Sequence, residues 1–123
     1  MLCVAAGGLS AMLALQSFTL AWTHSIEKVR WEEDWQVTEQ GLVLAEARVR
    51  GHGAGMEPAA GSRLAHGVWH YTPDLLPQAR LKLVHSPYAA GYELCTAAKC
   101  QALTDLLPGL AAYALIELFP CER

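Results

Sequence analysis

No aspartate, glutamate, lysine or arginine precedes Glu27, and beyond it the two signs nearly cancel, leaving a formal net charge of −3. There is no basic stripe, so the electrostatic footprint of a nucleic-acid partner is missing. No internal repeat or low-complexity tract occurs, which excludes a solenoid and a linker-like chain. A paired C-x-x-C is absent, which argues against a zinc ribbon, and the five histidines are scattered rather than set at ligand spacing. There is no G-x-S-x-G elbow. His24-Ser25 and His85-Ser86 do not make dyads either, because neighbours in a strand point to opposite faces. The glycine loop at Gly51, Gly53 and Gly55 has no Lys-Ser/Thr behind it, so it is neither a Walker loop nor a dinucleotide fingerprint.

What is present is apolar. At 123 residues and 53% hydrophobic content, the chain is expected to form one domain with a real core. The uncharged start admits a degenerate signal or anchor segment, but it has no basic n-region and no small-x-small cleavage site. Polar residues and Gly7-Gly8 dilute it as a spanning helix. Residues 1–17 read better as a hairpin, Leu2 to Ala6 and Leu9 to Leu15 about a Gly-Gly turn.

The stretch from Phe18 to Val37 holds three of the four tryptophans and the densest acidic cluster. Phe18, Leu20 and Trp22 occupy even positions, whereas Val29, Trp31, Trp35 and Val37 occupy odd ones. The buried phase therefore changes between His24 and Lys28, which requires a bulge or a turn there. Glu33 shares the odd face with Trp31 and Trp35, so that face is half covered or Glu33 has a cation such as Arg48.

Further strands are expected at Leu42–Arg50, Val68–Tyr71, Arg80–His85, Tyr92–Cys95 and Cys100–Leu103, with turns at Thr38–Gly41, Ala65–Gly67 and Pro87–Gly91. Pro73 and Pro77 bracket an irregular connection, and Asp105 to Gly109 makes a turn or a single helical turn. Residues 110–119 fit helix or strand, and strand is preferred because many short strands need closing. The fold expected is all-β, an antiparallel sandwich or flattened barrel of about eight short strands.

The four cysteines allow three pairings. Cys95 and Cys100 flank a short hairpin loop, Cys3 and Cys121 lie near the two ends, and reduced thiols are the alternative. The alternative function is a metal-binding protein or metal-dependent enzyme with a hard-cation site at His24, Glu27, Glu32 and Asp34 and Glu57 as a further donor, against the plainer reading of a solvated charged face. Trp22, Trp31, Trp35 and Trp69 belong to a core or an interface; exposed together they would mark a partner surface, a homodimer included.

The run FTLAWTHSIEKVRWEEDW, followed by GHGAGME, resembles an uncharacterised bacterial family, domain of unknown function 1850, over Phe18 to Leu103. The pattern is an aromatic strand into His24-Ser25-Ile26-Glu27, an acidic aromatic strand from Trp31 to Trp35, and Gly53-Ala54-Gly55. Proteins of this kind look like companions of TRAP-type (TAXI-class) solute transporters. The resemblance thus implies a non-catalytic, periplasmic or extracytoplasmic accessory that meets transporter components or a small ligand. It implies no reaction and no cofactor. Together with the phase change, it points to His24, Ser25, Glu27, Gly53, Gly55 and Glu57 as the binding surface. Relatives begin with a basic, apolar export segment and this sequence does not, which keeps a cytoplasmic location open.

Overall fold

The computed structural model describes residues 1–23, 28–50, 61–88 and 91–122. Alternating apolar residues on either side of Gly7-Gly8 build the first hairpin, β1 (Leu2–Ala6) and β2 (Leu9–Leu13). Then come β3 (Ser17–Thr23), β4 (Arg30–Thr38), β5 (Gly41–Arg50), β6 (Arg63–Ala65) and β7 (Val68–Tyr71). The chain ends with β8 (Leu81–His85), β9 (Glu93–Cys95), β10 (Cys100–Ala102), the one-turn helix α1 (Leu103–Leu106) and β11 (Ala114–Pro120). Residues 110–119 thus end in a strand.

All strand pairs are antiparallel and form two open sheets, ordered β2-β1-β11-β8 and β10-β9-β3-β4-β5-β7-β6. The all-β sandwich is therefore present. It is not closed into a barrel, and the eleven strands among the described residues exceed the eight or so expected because several are only three residues long.

The core lies between the sheets. Leu2, Val4 and Ala6 of β1 with Ile116 and Leu118 of β11 face Phe18, Leu20, Trp35, Leu42, Leu44 and Leu94, and Leu103 and Leu107 close one side. Leu2, Val4, Leu42, Leu94 and Leu118 are wholly buried. Each such side chain contributes ~1.5–3 kcal/mol by leaving water.

The phase change of the organising stretch is the connection of a hairpin. β3 and β4 pair in register from Ser17↔Gln36 to Thr23↔Arg30, so each even-numbered β3 residue meets an odd-numbered partner in β4. A second phase change, unforeseen, sits in β5. Asp34 pairs with Glu46 but Trp35 pairs with Leu44, which leaves Ala45 as an extra residue. That bulge turns the buried side from Leu42 and Leu44 to Ala47 and Val49.

Gly41 secures the other end of β5. Leu42 and Gln78 exchange backbone hydrogen bonds of 2.7 and 2.8 Å. At Gly41, φ is 128°, and a Cβ there would stand 2.6 Å from the Gln78 carbonyl oxygen. Glycine alone permits this contact. The expected turn at His66-Gly67 is a two-residue hairpin loop with φ of 52° and 77°, the pattern of a type I′ turn.

Both cysteine pairings are made. Cys3 and Cys121 bond across adjacent β1 and β11, and Cys95 and Cys100 bond between directly paired residues of β9 and β10. Among the described residues, no helix is long and apolar enough to cross a membrane.

Candidate functional site

The two faces of the seven-stranded sheet carry different chemistry. On the face turned away from the smaller sheet, Glu32 and Asp34 of β4 stand beside Arg48 and Glu46 of β5. Arg48 grips Asp34 with both terminal nitrogens, at 2.6 and 2.7 Å, and also donates to Glu46 at 3.1 Å and Glu32 at 3.3 Å. Arg30 joins Glu32 to Glu93 of β9, at 3.1 and 3.0 Å. Arg50 and Arg63 extend the array to Glu32 and Glu46, and His70 Nδ1 lies 2.9 Å from Glu46 Oε1. The Thr19 hydroxyl donates to Asp34 at 2.6 Å.

The array sets the charges of its members. The Arg48 hydrogen bonds hold the Asp34 carboxyl below its usual range, and contact with His70 does the same for Glu46, with help from Arg48. Burial works to raise Glu32, but the hydrogen bonds from Arg30 and Arg48 overcome it and leave Glu32 low. The Arg48 guanidinium is held charged more firmly than usual, chiefly by Asp34. Glu32 and Asp34, proposed from sequence as cation ligands, thus meet Arg48. Among the described residues, no group of three or more His, Cys, Asp or Glu converges as a metal centre.

The opposite face begins as core and ends as an aromatic row. Phe18 and Trp35 pair within the core; beyond them come Leu20 with Glu33, then Trp22 with Trp31. The last row continues from Trp31 to Val49, Trp69 and Leu64 across β5, β7 and β6. Trp22 and Trp31 stack with centroids 6.2 Å apart and planes 9° from parallel, and Tyr92 leans on Trp22 at 5.6 Å. Trp35 is buried in the core, whereas Trp22, Trp31 and Trp69 are half-buried.

Glu33 sits amid this aromatic surface. Trp35 Nε1 donates to its carboxylate at 3.3 Å. Arg48, expected as its partner, is on the other face: Arg48 lies opposite Glu32, whereas Glu33 lies opposite Ala47. Among the described residues, no cation pairs with Glu33. Burial raises its carboxyl above the usual range despite the Trp35 bond. Tyr71 and Tyr92 are raised by burial first and by the Glu33 charge second, which places that carboxylate between β7 and the start of β9.

Folding therefore costs free energy when Glu33 ionises. The cost is absent below the unfolded carboxyl value of about 4.3. It grows as pH rises through that value and is complete above the higher folded one. Glu33→Gln should raise the urea midpoint at pH 7.5, with the gain vanishing near pH 3.5. A gain unchanged with pH would show that ionisation is not the cause.

His24, Ser25, Glu27, Gly53, Gly55 and Glu57 lie outside the described residues. The strand ends flanking them do come together: Thr23 pairs with Arg30, and Trp31 next to it pairs with Val49 beside Arg50. Those strand ends, Thr23, Arg30 and Arg50, lie at the end of the sheet that carries the aromatic row. Tyr71, Tyr92 and Trp69 were not grouped with Glu33 by sequence reasoning. The available signal was the odd-position alternation of Val49, Trp69 and Tyr71, but it needed the register to become a site.

Residues 18–103 match the family described as a domain of unknown function (DUF1850). The chain belongs to this family. No curated protein matches this DUF1850 chain, and neither does any solved structure. The matched span contains both faces of the large sheet, the charged array and the aromatic row alike.

Proposed function

We propose that this DUF1850 protein is a non-catalytic binding module, acting outside the cytoplasm as an accessory to a TRAP-type solute transporter. The observation that carries the binding role is the half-buried aromatic row beside Glu33, a carboxylate with no cation among the described residues. A face meant only for the core would be covered and apolar. Here the core cluster takes in Phe18, Leu20 and Trp35, and the row continues past it with Trp31 and Trp69. Aromatic side chains with a few polar groups among them are the usual lining of small-ligand sites.

Two disulfides suit an oxidising compartment, and the family resemblance supplies the transporter. The resemblance adds His24, Ser25, Glu27, Gly53, Gly55 and Glu57 to the proposed binding residues. A tagged full chain expressed in its own cell should co-purify with the transporter subunits, and its deletion should slow uptake of their solute. No co-purification together with unchanged uptake would overturn the accessory role.

A further inference from the structure

We propose that the ligand taken at the aromatic end is a small organic cation, its charge set against Glu33 and its alkyl groups against Trp22, Trp31 and Tyr92. This rests on the reading of that end as a binding site and deepens it. The indoles of Trp22 and Trp31 lie 9° from parallel, and the Tyr92 ring is inclined 53° to Trp22. The three rings meet at two inclinations and each is only half-buried, and the π faces of such rings carry the negative end of the ring quadrupole. A cation without hydrogen-bond donors suits them because it gains from the faces and loses little hydration.

The charges select the same sign. The arginines of the large sheet, Arg30, Arg48, Arg50 and Arg63, are engaged by Glu32, Asp34, Glu46 and Glu93 on the opposite face. The aromatic face presents Trp22, Trp31, Glu33, Val49, Trp69 and Tyr71, with one carboxylate and no cation among them. An anion placed there would meet Glu33 with no cation among the described residues of that face to offset it. Among the described residues Glu33 receives one hydrogen bond, from Trp35; a carboxylate has about four lone-pair sites, so acceptor capacity is left over. A neutral sugar would also stack on such rings, but it would leave that charge unused.

The test uses the full chain and its tryptophan emission, with choline as probe and 3,3-dimethylbutan-1-ol as its uncharged isostere. Choline should shift the emission saturably and bind at least about tenfold more tightly than the alcohol, the preference expected of a partly desolvated cation–π site. Glu33→Gln should weaken choline by about tenfold and leave the alcohol unchanged. Its urea midpoint, at or above that of the parent, separates loss of binding from loss of fold.

Equal binding of the two probes, preference for glucose, undiminished choline binding by Glu33→Gln, or no saturable response at tens of millimolar would each overturn the cation assignment. Phosphatidylcholine vesicles should not pull the chain down; sedimentation with them in place of free choline binding would mean a lipid headgroup and overturn the small-solute reading. The two proposals fail separately. A silent choline titration with intact co-purification removes the cation, while Glu33-dependent choline binding without co-purification removes the transporter.

Discussion

Replacing Cys3 and Cys121 together by serine should lower the unfolding free energy by about 5 kcal/mol, the largest single loss expected in this chain. The bond joins residues 118 apart in sequence, so it constrains nearly the whole unfolded chain. Cys95–Cys100 spans a separation of 5 and closes a loop the β9–β10 hairpin already makes. Loop-closure entropy assigns it about 2 kcal/mol. The folded state gains from the first bond as well: β1 and β11 are neighbours, and the Cys121 amide donates to the Met1 carbonyl at 3.0 Å. Urea unfolding of the two double-serine variants, followed by tryptophan emission, measures the difference. Equal losses would show that the unfolded chain is not what the long bond acts on.

Arg48→Met should cost about 2–3 kcal/mol, less than the ~3–5 seen when one partner of a fully buried ion pair is removed. The discount reflects solvent at the site, since the Asp34 and Glu46 side chains are 37% and 29% exposed. What remains after the substitution is the damage. Asp34 loses its only cation among the described residues, and Glu32, Asp34 and Glu46 are left facing one another. The acid limb fixes the sign. Asp34 and Glu46 are held low in the folded protein, so their stabilisation is present above the ordinary carboxylate value near 4 and disappears as pH falls through the lower folded values. The gap between parent and Arg48→Met should therefore be wide at pH 7 and nearly closed at pH 2.5. A gap independent of pH would assign the loss to packing of the arginine stem.

Local alternation carried most of this fold. The Gly7-Gly8 hairpin, the β5 and β7 strands, the His66-Gly67 turn and the nearness of Cys95 to Cys100 follow from residue type and spacing, because each depends on neighbours close in sequence. Parity had two meanings, however. A phase change within a stretch marks a bulge when the strand continues and a hairpin when it turns back, and the residues from Phe18 to Val37 are the second case. The same signal lay unread in β5, where apolar residues move from Leu42 and Leu44 to Ala47 and Val49 and a bulge at Ala45 is the cause. Register was the missing quantity. Without it Arg48 could be assigned to Glu33, although the pairing puts it opposite Glu32 on the other face. For the same reason the aromatic row could not be assembled from Trp22, Trp31 and Trp69, which three separate strands contribute.

The span shared with the family, residues 18–103, supplies the large sheet apart from Ser17 of β3, but β1, β2 and β11 of the small sheet fall outside it. Those flanks bring Leu2, Val4, Ile116 and Leu118, the greasy lid over Phe18, Leu20 and Leu44. Homology limits and folding limits therefore do not coincide here. Trimmed to the shared span, the polypeptide would present a bare oily slab and clump, so excision experiments must keep both tails and the sulfur clasp between them.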